Sequence, residues 1–251
     1  MSSSIWTRCA GDSEIRALRL LPWRVVESQH QVSTRKLVDS NEEQVLLEEM
    51  LDRAKPPAVA DSRQHYLLTT PFRYPPLTYG SRFGTRQERG IWYGSETIPT
   101  ALAEVAYYRF VFLEGSTAQL GLVTTPLTAF RASARSRTGV DLVRPPFDTH
   151  KKAIASPTRY GATQALGAAM RAAGVELFRY PSARDPRGGV NVGAFVPAVF
   201  GKAKPRDFQA WHCTATKHVV EFAKREYFAR DDMAFARSDF LVNDALPAPA
   251  V

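Results

Sequence analysis

The sequence predicts a fold that mixes α-helices and β-strands. Apolar residues recur at helical spacing over 97–115 and again from about 160 to 173, whereas residues 175–180 and 190–195 alternate as strands do. A short apolar stretch at 91–94, which ends at a glycine, adds a further strand candidate. The predicted fold class is therefore α+β, with both kinds of element interspersed along the chain.

One domain with an N-terminal extension accounts for the length of the chain. With 251 residues, the folded chain can bury about three quarters of the surface that its unfolded form exposes, so folding requires no disulfide or metal. We expect residues 1–60 to be an extension that packs on the core and residues 61–240 to be the core domain. Residues 241–251, which are rich in proline and alanine, are expected to be a disordered tail.

The clearest element of the extension is a helix that begins near Ser40. Ser40 and Glu43 form a capping box, and apolar residues then recur at helical spacing until Pro56. We interpret this helix as one that packs on the core, with a partner-binding surface as the alternative. The apolar residues 18–26 receive no secondary structure, because Pro22 interrupts them.

Proline placement decides several predictions in the core domain. His65 is interpreted as a hydrogen-bonded structural histidine, and residues 69–76 contain too many prolines for a helix. Two strands interrupted at Pro126, an arginine-rich loop and one long strand are expected at residues 119–125 with 127–132, 131–146 and 211–222, respectively.

The charge of the chain suits an anionic ligand without indicating a nucleic acid. The net charge is +8 and the pI is about 9.7, but acids are interleaved with the bases and no block of five Lys or Arg residues occurs. No apolar run approaches the roughly 20 residues of a membrane span, and the N-terminus lacks the basic-then-apolar plan of a signal peptide. We therefore expect a cytoplasmic protein that contacts no membrane.

The two cysteines predict neither a metal site nor a disulfide framework. Cys9 and Cys213 are isolated and no CxxC occurs, so both are expected to be reduced thiols. Cys213 follows His212, but neighbours on a strand point to opposite faces. The pair is therefore interpreted as structural rather than catalytic.

Residues 79–109 concentrate the groups that chemistry requires. Three glycines and three arginines share the loop 80–90, where the backbone can approach an anion closely. Tyr93 lies on the short strand that follows, and Thr97 is placed to cap the next helix. On that helix Glu104 borders the apolar stripe, so its carboxylate lies at the edge of the core and faces the arginine loop.

These residues, with a second loop further on, resemble the RES domain family, which is named for an arginine, a glutamate and a serine. The family pattern is a Gly-x-Arg loop, an aliphatic-x-Tyr strand, Ala-Leu-Ala-Glu-Val on a helix and, later, Tyr-Pro-Ser-x-Arg-Asp-Pro. Here the four motifs stand at Gly80-Ser81-Arg82, Ile91-Trp92-Tyr93, 101–105 and 180–186. Four motifs in order at family-like spacing make the resemblance specific, and it covers roughly residues 23–235.

The resemblance implies a fold, an activity and partners. The implied fold is an α+β arrangement similar to that of ADP-ribosyltransferases, with a split, curved β-sheet flanked by helices and here an N-terminal helical extension. Family members resemble toxins of bacterial type II toxin–antitoxin systems that degrade NAD, so NAD is the expected substrate, with no further cofactor and no metal. The expected protein partner is an Xre-like helix-turn-helix antitoxin that occludes the cleft, and self-association into a homo-oligomer stays open.

The resemblance and side-chain chemistry together assign five site residues. Arg82, Glu104 and Ser182 are expected to be catalytic, and Arg73 and Tyr93 to bind substrate. The arginines would hold phosphate or ribose oxygens, and Tyr93 would offer a flat face to the nicotinamide. Glu104 would place negative charge beside an oxocarbenium-like transition state. Ser182 is expected to position the substrate rather than to act as a nucleophile, because no histidine or lysine stands in an activating motif with it.

Two points stay open on the sequence alone. Many family members carry Trp-Asn after the loop arginine where this chain has Phe83-Gly84, so a ligand contact is lost, or is replaced by Thr85 or Arg86. The acceptor of ADP-ribose is water, inorganic phosphate or a protein, so a mono-ADP-ribosyltransferase is an alternative to an NAD hydrolase or phosphorylase. An alternative of another class is a basic nucleic-acid-binding or interaction protein without NAD chemistry.

Overall fold

A computed structural model of the chain describes residues 4–28, 38–56, 64–76, 78–118, 120–226 and 231–248. The strands in these residues are β1 Arg16–Leu20, β2 Trp23–Glu27, β3 Trp92–Ser95, β4 Val123–Arg131, β5 Ala134–Asp141, β6 Leu177–Pro181, β7 Val190–Ala194, β8 Arg206–Ala215, β9 Val219–Lys224 and β10 Asp232–Ala236. The α-helices are α1 Ile5–Arg8, α2 Asn41–Ala54, α3 Tyr66–Arg73, α4 Ile98–Gly115, α5 Lys151–Ile154 and α6 Gly161–Ala172. Helices and strands are interspersed, which confirms the α+β class.

The ten strands form one mixed sheet that divides into two halves. Its order is β1-β5-β6-β7-β3-β2-β4-β8-β9-β10, and only β5 and β6 pair in parallel. The halves join at β3 and β2, whose ladder consists of the single pair Trp23 and Ser95. Beyond that pair β2 continues along β4 and β3 along β7. The strands therefore diverge, which is the split that the family resemblance implies, and a cavity opens between them.

Helix α4 is the central helix of the fold. Thr97 caps it, since its hydroxyl accepts a hydrogen bond from the Thr100 N–H at 3.3 Å. Its 18 residues contact strands of both sheet halves, and most of its apolar side chains are buried there. The helix thus holds Glu104 at the point where the halves separate.

The N-terminal extension is more than helical. Its strands β1 and β2 belong to the sheet, and β2 lies in the middle of the strand order. Helix α2 has the predicted capping box, with Ser40 and Glu43 bonded reciprocally. Its apolar side chains, however, are exposed, with Val45 59% accessible and Met50 58%. The interpretation of α2 as a packing helix is therefore wrong for the described chain.

Two predictions that relied on proline as a breaker were wrong. Residues Tyr66–Arg73 form α3 although Pro71 lies inside it. Pro71 stands in the last turn, so the helix loses little hydrogen bonding, while Leu68 and Phe72 gain burial in the core. Strand β4 likewise runs unbroken through Pro126, whose carbonyl accepts a hydrogen bond from Ser28 N–H just where β2 ends, so the missing N–H costs no bond to β8.

Two further elements differ from prediction. The expected loop 131–146 contains β5, whose outward arginines hid the alternation with buried residues. The expected strand 211–222 is a hairpin of β8 and β9, because the Thr216 hydroxyl accepts from the His218 and Val219 N–H groups and turns the chain. In the C-terminal segment, Leu246 packs against the core and residues 249–251 lie outside the described residues.

Candidate active site

A cavity of about 470 Å³ lies where the sheet halves separate. Its walls come from β2, β3 and α4, and from the loop that contains Ser81 and Arg82. Tyr160, Tyr180 and Asn191 complete the lining. Three of the five predicted site residues, Arg82, Tyr93 and Glu104, line this cavity, although 22 positions separate the first from the last.

The Glu104 carboxylate is oriented by two side chains from other elements. Its Oε1 accepts hydrogen bonds from Ser182 Oγ at 2.8 Å and from Asn191 Nδ2 at 2.6 Å. Asn191 is fixed in turn, because its Oδ1 accepts from Ser95 Oγ at 2.6 Å. No hydrogen bond to Oε2 occurs among the described residues. One oxygen thus anchors the carboxylate, while the other is available to a ligand in the cavity.

Ser182 supports Glu104 from a tight loop. Besides donating to Glu104, its hydroxyl accepts from the N–H groups of Arg184 and Asp185, each at 3.1 Å. The Asp185 carboxylate accepts from Thr100 Oγ1 at 2.8 Å, which ties the loop to the first turn of α4. The hydroxyl has one donor and two acceptor sites, and all three are occupied. The geometry agrees with a positioning role and provides no base to activate a nucleophile.

Arg82 is held in the cavity wall by carbonyl groups. Only 9% of the residue is exposed, and Nη1 donates to the carbonyls of Ser156 at 2.8 Å and Ile154 at 3.3 Å. The guanidinium carbon lies 4.7 Å from the centroid of the Tyr160 ring. These contacts fix the plane of the guanidinium, and no carboxylate forms an ion pair with it among the described residues.

The hydroxyl of Tyr93 is used inside the protein, so its ring is what the cavity receives. The hydroxyl lies 3.1 Å from Ser81 Oγ and accepts from Phe83 N–H at 3.3 Å. Burial raises the pKa of Tyr93 to about 12, so the phenol is neutral at physiological pH. Tyr93 therefore presents an uncharged aromatic surface.

The arginine loop is docked on α6 by groups that sequence reasoning missed. Gln164 is 5% exposed and its Nε2 donates to the carbonyls of Tyr79 at 3.1 Å and Ser81 at 3.2 Å. Gly167 lets the loop approach α6, since a Cβ there would lie 2.0 Å from the Phe83 carbonyl oxygen. A buried glutamine in an alanine-rich helix was the available signal for this contact.

The structure leaves other predicted residues outside the cavity. Arg73 does not line it; its Nε donates to the Pro56 carbonyl instead. Phe83 is fully buried among aromatic rings, Thr85 bonds to Glu88, and Arg86 is exposed. Neither Thr85 nor Arg86 is among the lining residues, so the structure shows no substitute contact at that end of the loop.

Two basic side chains of the cavity were not predicted. Arg24 on β2 donates from Nη1 to the Tyr93 carbonyl at 2.5 Å, and burial lowers the pKa of its guanidinium to about 10. Arg109 on α4 pairs with Glu27, with 2.6 Å between Nη2 and Oε1. With Arg82 they are the three cations of the lining.

The histidines and cysteines that the sequence offered lie elsewhere. His65 caps α3, accepting from Leu67 N–H at 3.3 Å, which confirms its structural interpretation. Cys9 and Cys213 are free and buried, and burial raises the pKa of both thiols. Within the described ranges no three His, Cys, Asp or Glu residues cluster as a metal site would require. None of the described helices is both long and apolar enough to cross a membrane.

Comparison with known proteins places the chain in a family. Residues 53–216 match the model of the RES domain, which is more than half of the chain, and the protein belongs to the RES domain family. The chain is also similar to one in the crystal structure of the M. tuberculosis MbcT–MbcA toxin–antitoxin complex, with a TM-score of 0.49 and 11% identity over 82% of this chain and 91% of that one. No curated protein matches the sequence.

Proposed function

We propose that this protein is the toxin of a bacterial type II toxin–antitoxin system and depletes NAD by cleaving the nicotinamide–ribose bond, by hydrolysis or phosphorolysis. The observation that carries the proposal is the Glu104 carboxylate, which Ser182 and Asn191 hold by one oxygen inside a cavity that also receives Arg82 and Tyr93. The volume of about 470 Å³ is in the range of small-molecule sites.

The reaction requires stabilisation of a cation more than proton transfer. The bond between the ribose C1′ and the nicotinamide nitrogen breaks with its electron pair moving to the ring, which leaves as neutral nicotinamide. Glu104 Oε2 accepts a hydrogen bond from a ribose hydroxyl and places negative charge beside the oxocarbenium-like centre. An oxygen of water or phosphate then bonds to C1′, and water releases one proton to solvent. Tyr93 packs against the nicotinamide, whose positive charge favours an aromatic face.

The setting follows from the family resemblance. We propose that the protein acts in the cytoplasm, where NAD is available, and that an Xre-like helix-turn-helix antitoxin neutralises it by occluding the cavity. In this arrangement the antitoxin blocks NAD without touching the chemistry of Glu104.

The test is NAD concentration over time with purified protein, with and without inorganic phosphate. Glu104→Gln keeps the shape of the side chain and removes its charge, and we expect it to slow NAD loss by at least about 10²-fold. Glu176→Gln is the matched control, because Glu176 also accepts a serine hydroxyl, at 2.6 Å from Ser136, but lies outside the cavity. Wild type that leaves NAD intact, or Glu104→Gln as active as Glu176→Gln, would contradict the proposal.

The products identify the acceptor. Free ADP-ribose marks hydrolysis, ADP-ribose 1″-phosphate marks phosphorolysis, and label from adenine-labelled NAD that stays with protein marks mono-ADP-ribosylation. Nucleic-acid binding without NAD loss would support the interaction-protein alternative, and that affinity should fall steeply with salt.

A further inference from the structure

Arg82 is poorly placed to bind the diphosphate of NAD alone. Its Nη1 is already shared between two carbonyls, and its guanidinium is stacked on Tyr160. Arg73, the other arginine assigned from the sequence, does not line the cavity. A diphosphate carries two negative charges, so a site for it requires further donors.

Arg24 has unused donor capacity in the cavity wall. It makes one hydrogen bond, from Nη1 to the Tyr93 carbonyl, and its Nε is buried without a partner. No carboxylate forms an ion pair with it among the described residues, and the nearby aromatic group is Trp92, 5.3 Å from the guanidinium carbon. A buried cation without a counterion is unfavourable until an anion approaches it.

Arg109 is a second cation whose present partner can be displaced. Its side chain is 16% exposed, whereas that of Glu27 is 62% exposed. Glu27 engages one guanidinium nitrogen, while an arginine carries five N–H donors in a planar fork. An exposed carboxylate can turn into solvent, so a phosphate entering the cavity competes with Glu27 for Arg109.

We propose that Arg24 and Arg109 bind the diphosphate of the dinucleotide, with Glu27 as a competing carboxylate that weakens this binding. The inference rests on the proposed function, because it names a subsite for NAD. Arg24 and Glu27 lie on β2, outside the residues 53–216 that match the family model. The N-terminal strand thus supplies part of the substrate site, and no motif of the family assigned it.

A structural role is the competing explanation. Arg24 joins β2 to β3 where the ladder has a single pair, and Arg109 joins α4 to β2. Loss of a purely structural contact would lower thermal stability and weaken all ligands alike. Loss of a phosphate contact would weaken only ligands that carry a diphosphate.

The experiment measures ADP and nicotinamide binding by calorimetry, and the KM for NAD, in Arg24→Gln, Arg109→Gln and Glu27→Gln. Arg19→Gln, an exposed arginine on the edge strand β1, is the charge-matched control. We expect both cavity arginine variants to raise the Kd for ADP and the KM for NAD on the order of tenfold. Glu27→Gln should lower both, and the Kd for nicotinamide should change less than about twofold throughout.

The outcomes separate this inference from the proposed function. Calorimetry requires no turnover, so wild type that leaves NAD intact contradicts the proposed function, whereas ADP affinity equal in Arg24→Gln and Arg19→Gln overturns the subsite. Equal weakening of ADP and nicotinamide also overturns it in favour of the structural role. Should Arg24→Gln fail to fold, Glu27→Gln decides, because its side chain is exposed and unchanged ADP affinity there removes the competition that the proposal requires.

Discussion

Replacing Ser182 by alanine separates a positioning serine from a nucleophilic one. The change removes the 2.8 Å hydrogen bond to Glu104 and leaves the N–H groups of Arg184 and Asp185 without their acceptor. A hydrogen bond to a charged group contributes about 1.5–3 kcal/mol. If the whole of it acts in the transition state, kcat/KM for NAD falls roughly 10- to 150-fold, at tenfold per ~1.36 kcal/mol.

The assay is the initial rate of nicotinamide release at several NAD concentrations, with thermal unfolding recorded for each variant. Ser136→Ala is the matched control, because it removes a serine-to-glutamate hydrogen bond of 2.6 Å outside the cavity. We expect it to keep kcat/KM within about twofold, as it touches nothing that contacts substrate.

Two results would refute the reasoning. A loss of less than about threefold would show that the orientation of Glu104 does not depend on Ser182. A loss on the order of 10⁶, the scale for removal of a true nucleophile, would show that the serine attacks the substrate despite its occupied hydroxyl.

Three further predictions test other parts of the site. Asn191→Ala removes the 2.6 Å hydrogen bond to the same carboxylate, and kcat for NAD cleavage should fall about tenfold or more with a smaller change in KM. Gly167→Ala places a methyl group 2.0 Å from the Phe83 carbonyl oxygen and should lower the melting temperature by several degrees, whereas Gly161→Ala, with no atom within 4 Å of its Cβ, should not. The pKa of Tyr93 is raised to about 12 in the folded state, so its stabilising contribution is complete below pH 10 and is lost as the pH rises towards 12. Tyr93→Phe should therefore flatten the fall of unfolding free energy over that interval, measured by denaturant titration.

Local pattern was sufficient to find the catalytic carboxylate and the arginine loop. Glu104 stood at the edge of an apolar stripe whose cap and length could be read directly, and α4 has the predicted cap and position. Arg82 was predicted from the glycines around it, and it does line the cavity. Both predictions concern residues whose surroundings are mostly within one turn or one loop of the chain.

The groups that orient Glu104 from a distance could not be placed in the same way. Asn191 acts across 87 positions, and its direction depends on the register of β7 against β3. A polar residue between valines in a strand was a visible signal, but the strand alone does not say which face meets α4. Arg73 was assigned to the site because prolines suggested a loop there, whereas burial of Leu68 and Phe72 forms a helix that carries it elsewhere.

The junction between β2 and β3 joins the fold to the proposed chemistry. A continuous ladder there would close the space between the halves, and the single pair Trp23 and Ser95 leaves it open. Ser95 also donates to Asn191, which orients Glu104, so the residue that joins the halves belongs to the network behind the carboxylate. Arg24 crosses the same junction to the Tyr93 carbonyl. Packing at this junction therefore sets both the width of the cavity and the direction of the carboxylate, which explains how an N-terminal strand outside the matched region can contribute to catalysis.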